Sequence, residues 1–253
     1  MPWIGAGLTD TGLLRSCNQD AFAILNDQGL WIVADGMGGH PGGDTASRLA
    51  VDVITREAVA AFPCSTPKHA GLNPAAAPLK TMIEAANRAI LATAQASPNL
   101  KGMGTTVVAL QISSGLRAHA TVAHVGDSRA YLWRGSRLLP LTRDHSLVED
   151  YVRQGLLSPE EARFHPHRHV LSRALGIAET VEPDVSSVVL RRDDVLLLCT
   201  DGLTKMLTDE QIAGVLRQTG RQPQQICAKL VEQALRSGGA DNVTVVACRD
   251  ARS

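Results

Sequence analysis

Aromatic residues are scarce in this chain, at 3% of the total, so its core must be built from Val, Leu, Ile and Ala. Neither sign of charge is in excess. Lys+Arg and Asp+Glu stand at 25 each, which argues against a general nucleic-acid binder, normally basic, but leaves room for a local basic pocket. Long hydrophobic runs are missing too: stretches such as Val195-Leu196-Leu197-Leu198-Cys199 are strand-length, far too short to cross a bilayer. The start, Met1-Pro2-Trp3-Ile4-Gly5, has no basic region followed by an apolar one, so no secretory signal is read there. The five cysteines (Cys17, Cys64, Cys199, Cys227, Cys248) include no C-x-x-C pair. They read as reduced thiols, with Cys199 and Cys248 packing inside apolar strands and the cytoplasm as the expected compartment.

What remains is an ordinary globular composition, 44% hydrophobic and 20% charged over 253 residues. Ala21–Leu25 and Leu30–Ala34 flank Asn26-Asp27-Gln28-Gly29 and read as a hairpin, taken as the first strand pair. Helical spacing starts at about Asp44, with Ala46, Leu49, Ala50, Val53 and Ile54 on one stripe, and resumes through Leu79, Met82, Ile83, Ala86 and Ile90. Ser65 to Pro78 reads as a loop between these helices. Strands are expected at Thr105–Ile112, Ala118–Val125, Ala130–Arg134, Val185–Leu190, Val195–Thr200 and Val243–Cys248. Short helices are expected within Ser146–Arg163, where Ser158-Pro159-Glu160-Glu161 is a helix start, and longer ones at Thr208–Arg217 and Gln222–Arg236. Hairpin-linked strands interrupted by helix pairs indicate an α+β layered fold, read as a single domain over residues 1–253.

Four aspartates recur at strand ends. Asp35, Asp127 and Asp201 each follow an apolar run, and Asp241 precedes one. Singly, each is an ordinary turn residue, because Asp-Gly and Gly-Asp favour tight turns. Together they can converge, since in antiparallel sheets the end of one strand and the start of its neighbour share an edge. Gathered without matching Lys or Arg, four carboxylates would repel strongly. A divalent cation relieves that repulsion, and an all-oxygen set suits Mg²⁺ or Mn²⁺ rather than zinc. The glycine-rich Asp35-Gly36-Met37-Gly38-Gly39-His40-Pro41-Gly42-Gly43 is not a nucleotide loop. It either lets Gly36 offer its carbonyl to a metal or is a flexible lead into a helix. Arg15, five residues before Asp20, either forks onto a phosphate or makes a surface ion pair. The alternating histidines of His165-Pro166-His167-Arg168-His169 lack cysteine or acidic partners at ligand spacing and read as an exposed basic loop.

The ordered set Arg15-x-x-Asn18-Gln19-Asp20, Asp35-Gly36-Met37-Gly38-Gly39, Gly104-Thr105-Thr106, Gly126-Asp127-Ser128-Arg129, Asp144-His145-Ser146, Ala174-Leu175-Gly176, Thr200-Asp201-Gly202 and Asp241-Asn242-Val243-Thr244 resembles the type 2C (PPM) family of metal-dependent Ser/Thr protein phosphatases in its compact bacterial form. The resemblance runs from about Thr9 to Cys248. It implies a four-layer αββα architecture, a central β-sandwich of two antiparallel sheets flanked by helix pairs, with a variable flap at about 145–171. It further implies that Asp35 bridges two metals, the Gly36 carbonyl ligates one, Asp201 and Asp241 ligate the other, and Asp127 joins Asp201 at a third, weaker site. Arg15 would bind substrate phosphate, and Asp20 would hold water molecules of the metal centre. Gln19 stands where many members carry Glu, and its amide can still bind a water. Distant members place a proton-donating histidine where Met37 stands here, so His40 is the candidate general acid, or else it only lines the loop.

Such a ligand set implies direct hydrolysis: two Mn²⁺ or Mg²⁺ ions roughly 4 Å apart share and activate a water that attacks phosphorus in line. No C-x-x-x-x-x-R loop offers a cysteine nucleophile. The expected substrates are phosphoserine and phosphothreonine proteins, opposing a bacterial Ser/Thr kinase and its targets. No nucleic-acid or membrane partner is expected, and the protein is read as a monomer. Two other readings stand beside this one, a phosphoprotein-binding module of the same fold without turnover and a small-molecule phosphomonoesterase. Loss of a metal aspartate would favour the first, and none is lost.

Overall fold

A strand that is apolar on both faces has to be covered on both, because successive side chains point to opposite sides. Leu30–Asp35 is such a strand. The computed structural model describes residues 3–37, 42–61, 76–113, 118–219 and 222–252, and in it Leu30, Ile32 and Ala34 face helices while Trp31 and Val33 face a second sheet. In chain order the elements are β1 Trp3–Asp10, β2 Asp20–Leu25, β3 Leu30–Asp35, α1 Gly43–Ala61, α2 Ala76–Ala96, β4 Val107–Ser113, β5 His119–Val125, β6 Arg129–Arg134 and β7 Arg137–Pro140. There follow α3 Leu147–Arg153, α4 Pro159–Phe164, β8 Asp184–Val189, β9 Val195–Cys199, α5 Asp201–Thr204, α6 Asp209–Thr219, α7 Pro223–Arg236 and β10 Val243–Asp250.

The strands form two five-stranded sheets, ordered β1-β10-β9-β6-β7 and β2-β3-β4-β5-β8, and every pairing is antiparallel. Trp31, Val33, Leu110, Val122, Leu132, Leu196, Leu198 and Val246 fill the space between the sheets. Outside the second sheet lie α1 and α2, whose Ala50, Ile54, Leu79, Ile83 and Ile90 are fully buried. Outside the first lie α6 and α7, which bury Ile212, Ile226 and Leu230 against Tyr131, Leu197 and Val245. The expected α+β sandwich with helices on both outer faces is therefore observed. No helix among the described residues is long and apolar enough to cross a membrane.

Several local readings hold. Gly29 turns the β2–β3 hairpin at φ +66°, and Ser158 caps α4 with a complete capping box to Glu161 behind Pro159. Cys199 and Cys248 are fully buried, and His167, Arg168 and His169 are exposed. Three readings need correction. The β2–β3 hairpin does not begin the sheets, because β1 precedes it and pairs along its whole length with β10. Its glycines disguised it: a Cβ on Gly5 would lie 2.1 Å from the Trp31 indole nitrogen, and one on Gly7 would lie 2.6 Å from the Phe22 ring. Only bare backbone lets β1 lie that close to the other sheet. The short strand β7 was missed too, paired with β6 at the sheet edge. The loop read at Ser65–Pro78 ends early, since Ala76, Ala77 and Pro78 already belong to α2. The rest of that stretch lies outside the described residues.

The two helices over the second sheet supply much of its cover, so truncating their centre should be costly. Ile83→Ala is expected to destabilise the protein by about 2–5 kcal/mol, the usual range for a buried Ile cavity. Urea denaturation should show a lower midpoint with an unchanged slope.

Candidate metal centre

The β2–β3 register sets Asp20 directly opposite Asp35, so two carboxylates face each other across one antiparallel pair. In the other sheet β9 runs into Asp201 as β10 emerges from Asp241, and Val245 pairs with Cys199. The sheets are joined at this end by a directed chain of hydrogen bonds. Asn18 Nδ2 donates to Thr9 Oγ1 at 2.8 Å, Thr9 and Thr244 hydroxyls bond at 2.7 Å, and Thr244 Oγ1 donates to Asp20 Oδ2 at 2.6 Å. Thr200 Oγ1 donates to the same oxygen at 3.0 Å. One oxygen of Asp20 is thus fully committed. The other, Oδ1, is buried with no partner among the described residues, and so is Asp201 Oδ1.

Asp127 is placed by a second network. Gly126 adopts φ +105°, and a Cβ there would lie 2.6 Å from Thr106 Cβ. His145 clasps this glycine: its backbone N–H donates to Gly126 O at 3.0 Å, and its Nδ1 accepts from Gly126 N at 3.2 Å. The Ser128 hydroxyl bonds that of Thr106 at 2.7 Å, and Thr106 Oγ1 accepts from Asp35 N at 3.0 Å. Arg129 forks onto Asp144 at 2.8 and 2.7 Å. The Gly-Asp-Ser-Arg and Asp-His-Ser motifs therefore hold each other. Gly36 is a close-approach position: a Cβ on it would lie 2.2 Å from Gly43 O, and its N–H donates to Gln19 O at 3.1 Å. Asn242 ties down the N-terminal segment, accepting from Gln19 N at 2.8 Å and donating to Thr11 O and Cys17 O.

The expectation of carboxylates without matching cations is corrected here. Lys205 Nζ lies 2.5 Å from Asp201 Oδ2 and 3.1 Å from Asp241 Oδ2, and Arg15 Nε lies 2.8 Å from Asp241 Oδ1. Sequence reasoning passed over Lys205, although its place four residues after Asp201 on a helical turn was a usable signal. Arg15 is 41% exposed, so it is paired yet still open to solvent. His40 lies outside the described residues.

Two cations do not neutralise the group. Burial, then Asp201 and Asp241, push the Asp20 carboxyl up to about 7 against the pull of its two threonine donors. Asp35 is held well above the usual carboxylate range by burial and by Asp20, Asp201 and Asp127, with Lys205 opposing. Asp127 is raised to about 7 by burial, Asp201 and Asp144. Asp241 runs the other way: burial raises it, but Lys205 and Arg15 prevail and hold it low. Carboxylates this reluctant to ionise, with buried unpartnered oxygens and an all-oxygen donor set, suit a hard divalent cation.

A second cluster, His124, His145 and Asp184, brings one potential ligand atom each within 4.8 Å. Its lone pairs are poorly available. His124 Nε2 faces Arg143 O at 2.7 Å and must donate to it, His145 Nδ1 already accepts from Gly126, and Arg173 holds Asp184 at 2.7 Å. The stacked pair of rings, 4.6 Å apart, acts as a neutral clasp. Burial lowers both rings below the usual histidine range, His145 to about 4.

The sequence profile of the family described as Protein phosphatase 2C matches residues 14–236. The serine/threonine phosphatase stp of Listeria welshimeri is 36% identical over 244 residues, covering 94% of this chain and 92% of that protein. The crystal structure of the Mycobacterium tuberculosis serine/threonine phosphatase PstP/Ppp superposes with a TM-score of 0.86 at 35% identity, over 98% of this chain and 99% of that one. The catalytic domain of the serine threonine protein phosphatase PstP, solved in complex with two manganese ions, gives a TM-score of 0.83 at 34% identity, over 98% of both chains.

The raised carboxyls make stability depend on pH in a definite direction. A carboxyl whose folded value lies above its unfolded value of 3.8 stabilises fully below that unfolded value, and the contribution is lost as pH rises through the folded one. Asp241 acts oppositely, but only as pH falls through its low folded value. Metal-stripped protein should therefore lose thermal stability as pH rises from about 4 to about 7, with a shallower fall in Asp35→Asn. A melting temperature that is flat or rising across this window would contradict the assigned repulsion.

Proposed function

The chain belongs to the protein phosphatase 2C family, and from that premise we propose that residues 1–253 form one catalytic domain that removes phosphate from serine and threonine of proteins with Mn²⁺ or Mg²⁺. The carrying observation is that Asp20, Asp35, Asp127, Asp201 and Asp241 lie near enough to act on one another electrostatically, while Oδ1 of Asp20 and Oδ1 of Asp201 are buried with no partner among the described residues. Asp35 and the Gly36 carbonyl would hold one ion, with Asp35 bridging to a second held by Asp201 and Asp241. Asp127 would join Asp201 at a third, weaker site. When bound, the ions neutralise charge on the phosphoryl oxygens and lower the pKa of the attacking water.

The chain's own residues supply the rest. The free Oδ1 of Asp20, kept free because Thr200 and Thr244 occupy Oδ2, accepts a hydrogen bond from the attacking water and orients it. Arg15 exchanges Asp241 for two phosphate oxygens, which its planar guanidinium can fork. The bond from phosphorus to the serine oxygen breaks as that from water forms, and a proton must reach the leaving oxygen; His40 is assigned that donation. Residues 145–171 form the flap beside the site. The protein acts as a cytoplasmic monomer and opposes a Ser/Thr kinase.

Purified protein should release phosphate from phosphoserine or phosphothreonine peptides only with Mn²⁺ or Mg²⁺. Full turnover of stripped protein in excess EDTA would overturn the mechanism. Arg15→Ala should lose roughly 10- to 150-fold in kcat/KM, the equivalent of about 1.5–3 kcal/mol for charge-assisted bonds. The loss should fall mainly on KM, because the phosphoryl oxygens stay charged in the ground and transition states alike. An unaltered KM on a phosphopeptide would leave Arg15 as an ion-pair partner of Asp241 alone.

A further inference from the structure

Lys205 has no place in the mechanism above, yet its ammonium occupies the space between two of the proposed ligands. It reaches Asp201 Oδ2 at 2.5 Å and Asp241 Oδ2 at 3.1 Å, and its side chain is only 30% exposed. The lysine is anchored at its own backbone, where its N–H donates to Asp201 O at 2.7 Å at the end of the single turn α5. From there the side chain reaches across to both carboxylates. Both oxygens of Asp241 are engaged, Oδ1 by Arg15 and Oδ2 by Lys205, so a divalent cation seated there takes over one of these contacts, and at that range it repels the ammonium, which rests on Asp201 as well. Asp35, by contrast, has no cation in contact with its carboxylate among the described residues.

We propose that Lys205 is a resident counter-cation: it holds the Asp201–Asp241 pair in the metal-free protein and must swing out when the second metal binds. The inference rests on the metal assignment under Proposed function and deepens it. Whatever stabilises the metal-free state must weaken metal binding by the same factor. Lys205 therefore keeps the empty site folded at the expense of affinity, and it does so at the Asp201–Asp241 side only. Metal should accordingly load in two unequal steps, the tighter at Asp35 and Gly36. Arg15 shares in holding Asp241, but it is more exposed and grips a single carboxylate.

Two measurements test this, both independent of turnover. The first compares Lys205→Met, which keeps the length and removes the charge, with Lys205→Arg. In EDTA the Met variant should melt about 2–6 °C lower than wild type, and by calorimetry the second Mn²⁺ step, the one assigned to Asp201 and Asp241, should tighten about three- to thirtyfold. The Arg variant should stay near wild type in both. The second needs no variant: acetylation of Lys205 in the wild-type chain, followed by mass spectrometry with Lys229 as internal reference, should speed up severalfold when Mn²⁺ is added. Unchanged Mn²⁺ affinity in Lys205→Met, or Lys205 labelling indifferent to Mn²⁺, would overturn the counter-cation role while leaving the metal centre standing. Wild-type protein that binds no Mn²⁺ at all would overturn both.

Discussion

Mutual repulsion among carboxylates at one end of the sandwich is the constraint on which the rest of the site depends. Asp20, Asp35 and Asp127 are pushed up by burial and by one another, and no fold gathers such groups without holding them in place. Here the holding is done largely by groups that carry no chemistry of their own. Thr200 and Thr244 spend their hydroxyls on Asp20, and Thr105 and Thr106 hold the backbone of Asp35. Lys205 draws Asp201 and Asp241 together, and Arg15 adds its hold on Asp241. The arrangement is tolerable without metal and, on the proposed reading, incomplete without it.

The same constraint explains why short motifs recur around the acids. Ser128, Arg129, Asp144 and His145 bond to one another or to Thr106 and Gly126, fixing the direction in which Asp127 leaves its strand. Asn242 sits beside Asp241 yet works at a distance, gripping Thr11, Cys17 and Gln19 so that the segment carrying Arg15 lies over the site. Glycines serve the same end where backbone has to pass close to backbone, as Gly36 does beside Gly43 and Gln19. The sandwich beneath supplies the rigidity: Trp31 and Leu198 lie between the sheets, with apolar helices behind both.

Much of this was written along the chain. Alternating and continuous apolar runs located the strands, helical stripes such as Leu79, Met82, Ile83, Ala86 and Ile90 predicted the buried faces of the helices, and Asp residues at strand ends singled out the site. These signals are local: side-chain period and turn chemistry act over a few residues and survive in a linear reading. The strand β1 was not legible, because Gly5 and Gly7 answer to Trp31 and Phe22 in the opposite sheet, not to any neighbour in sequence. Arg15, taken alone, looked more like a surface ion-pair partner than a phosphate ligand, and its partner, Asp241, lies at the far end of the chain.

By itself, then, the sequence determined which segments become strands and helices, that they form an antiparallel layered fold, and which acids gather at its edge, since each depends on patterns short enough to be read in one dimension. Tertiary structure alone decided which oxygen of Asp20 is left free, which cations rest on Asp201 and Asp241, and that His145 serves as a clasp on Gly126. Those outcomes depend on distances between residues remote in the chain, and electrostatic energy and hydrogen bonding follow distance and burial rather than order along the backbone.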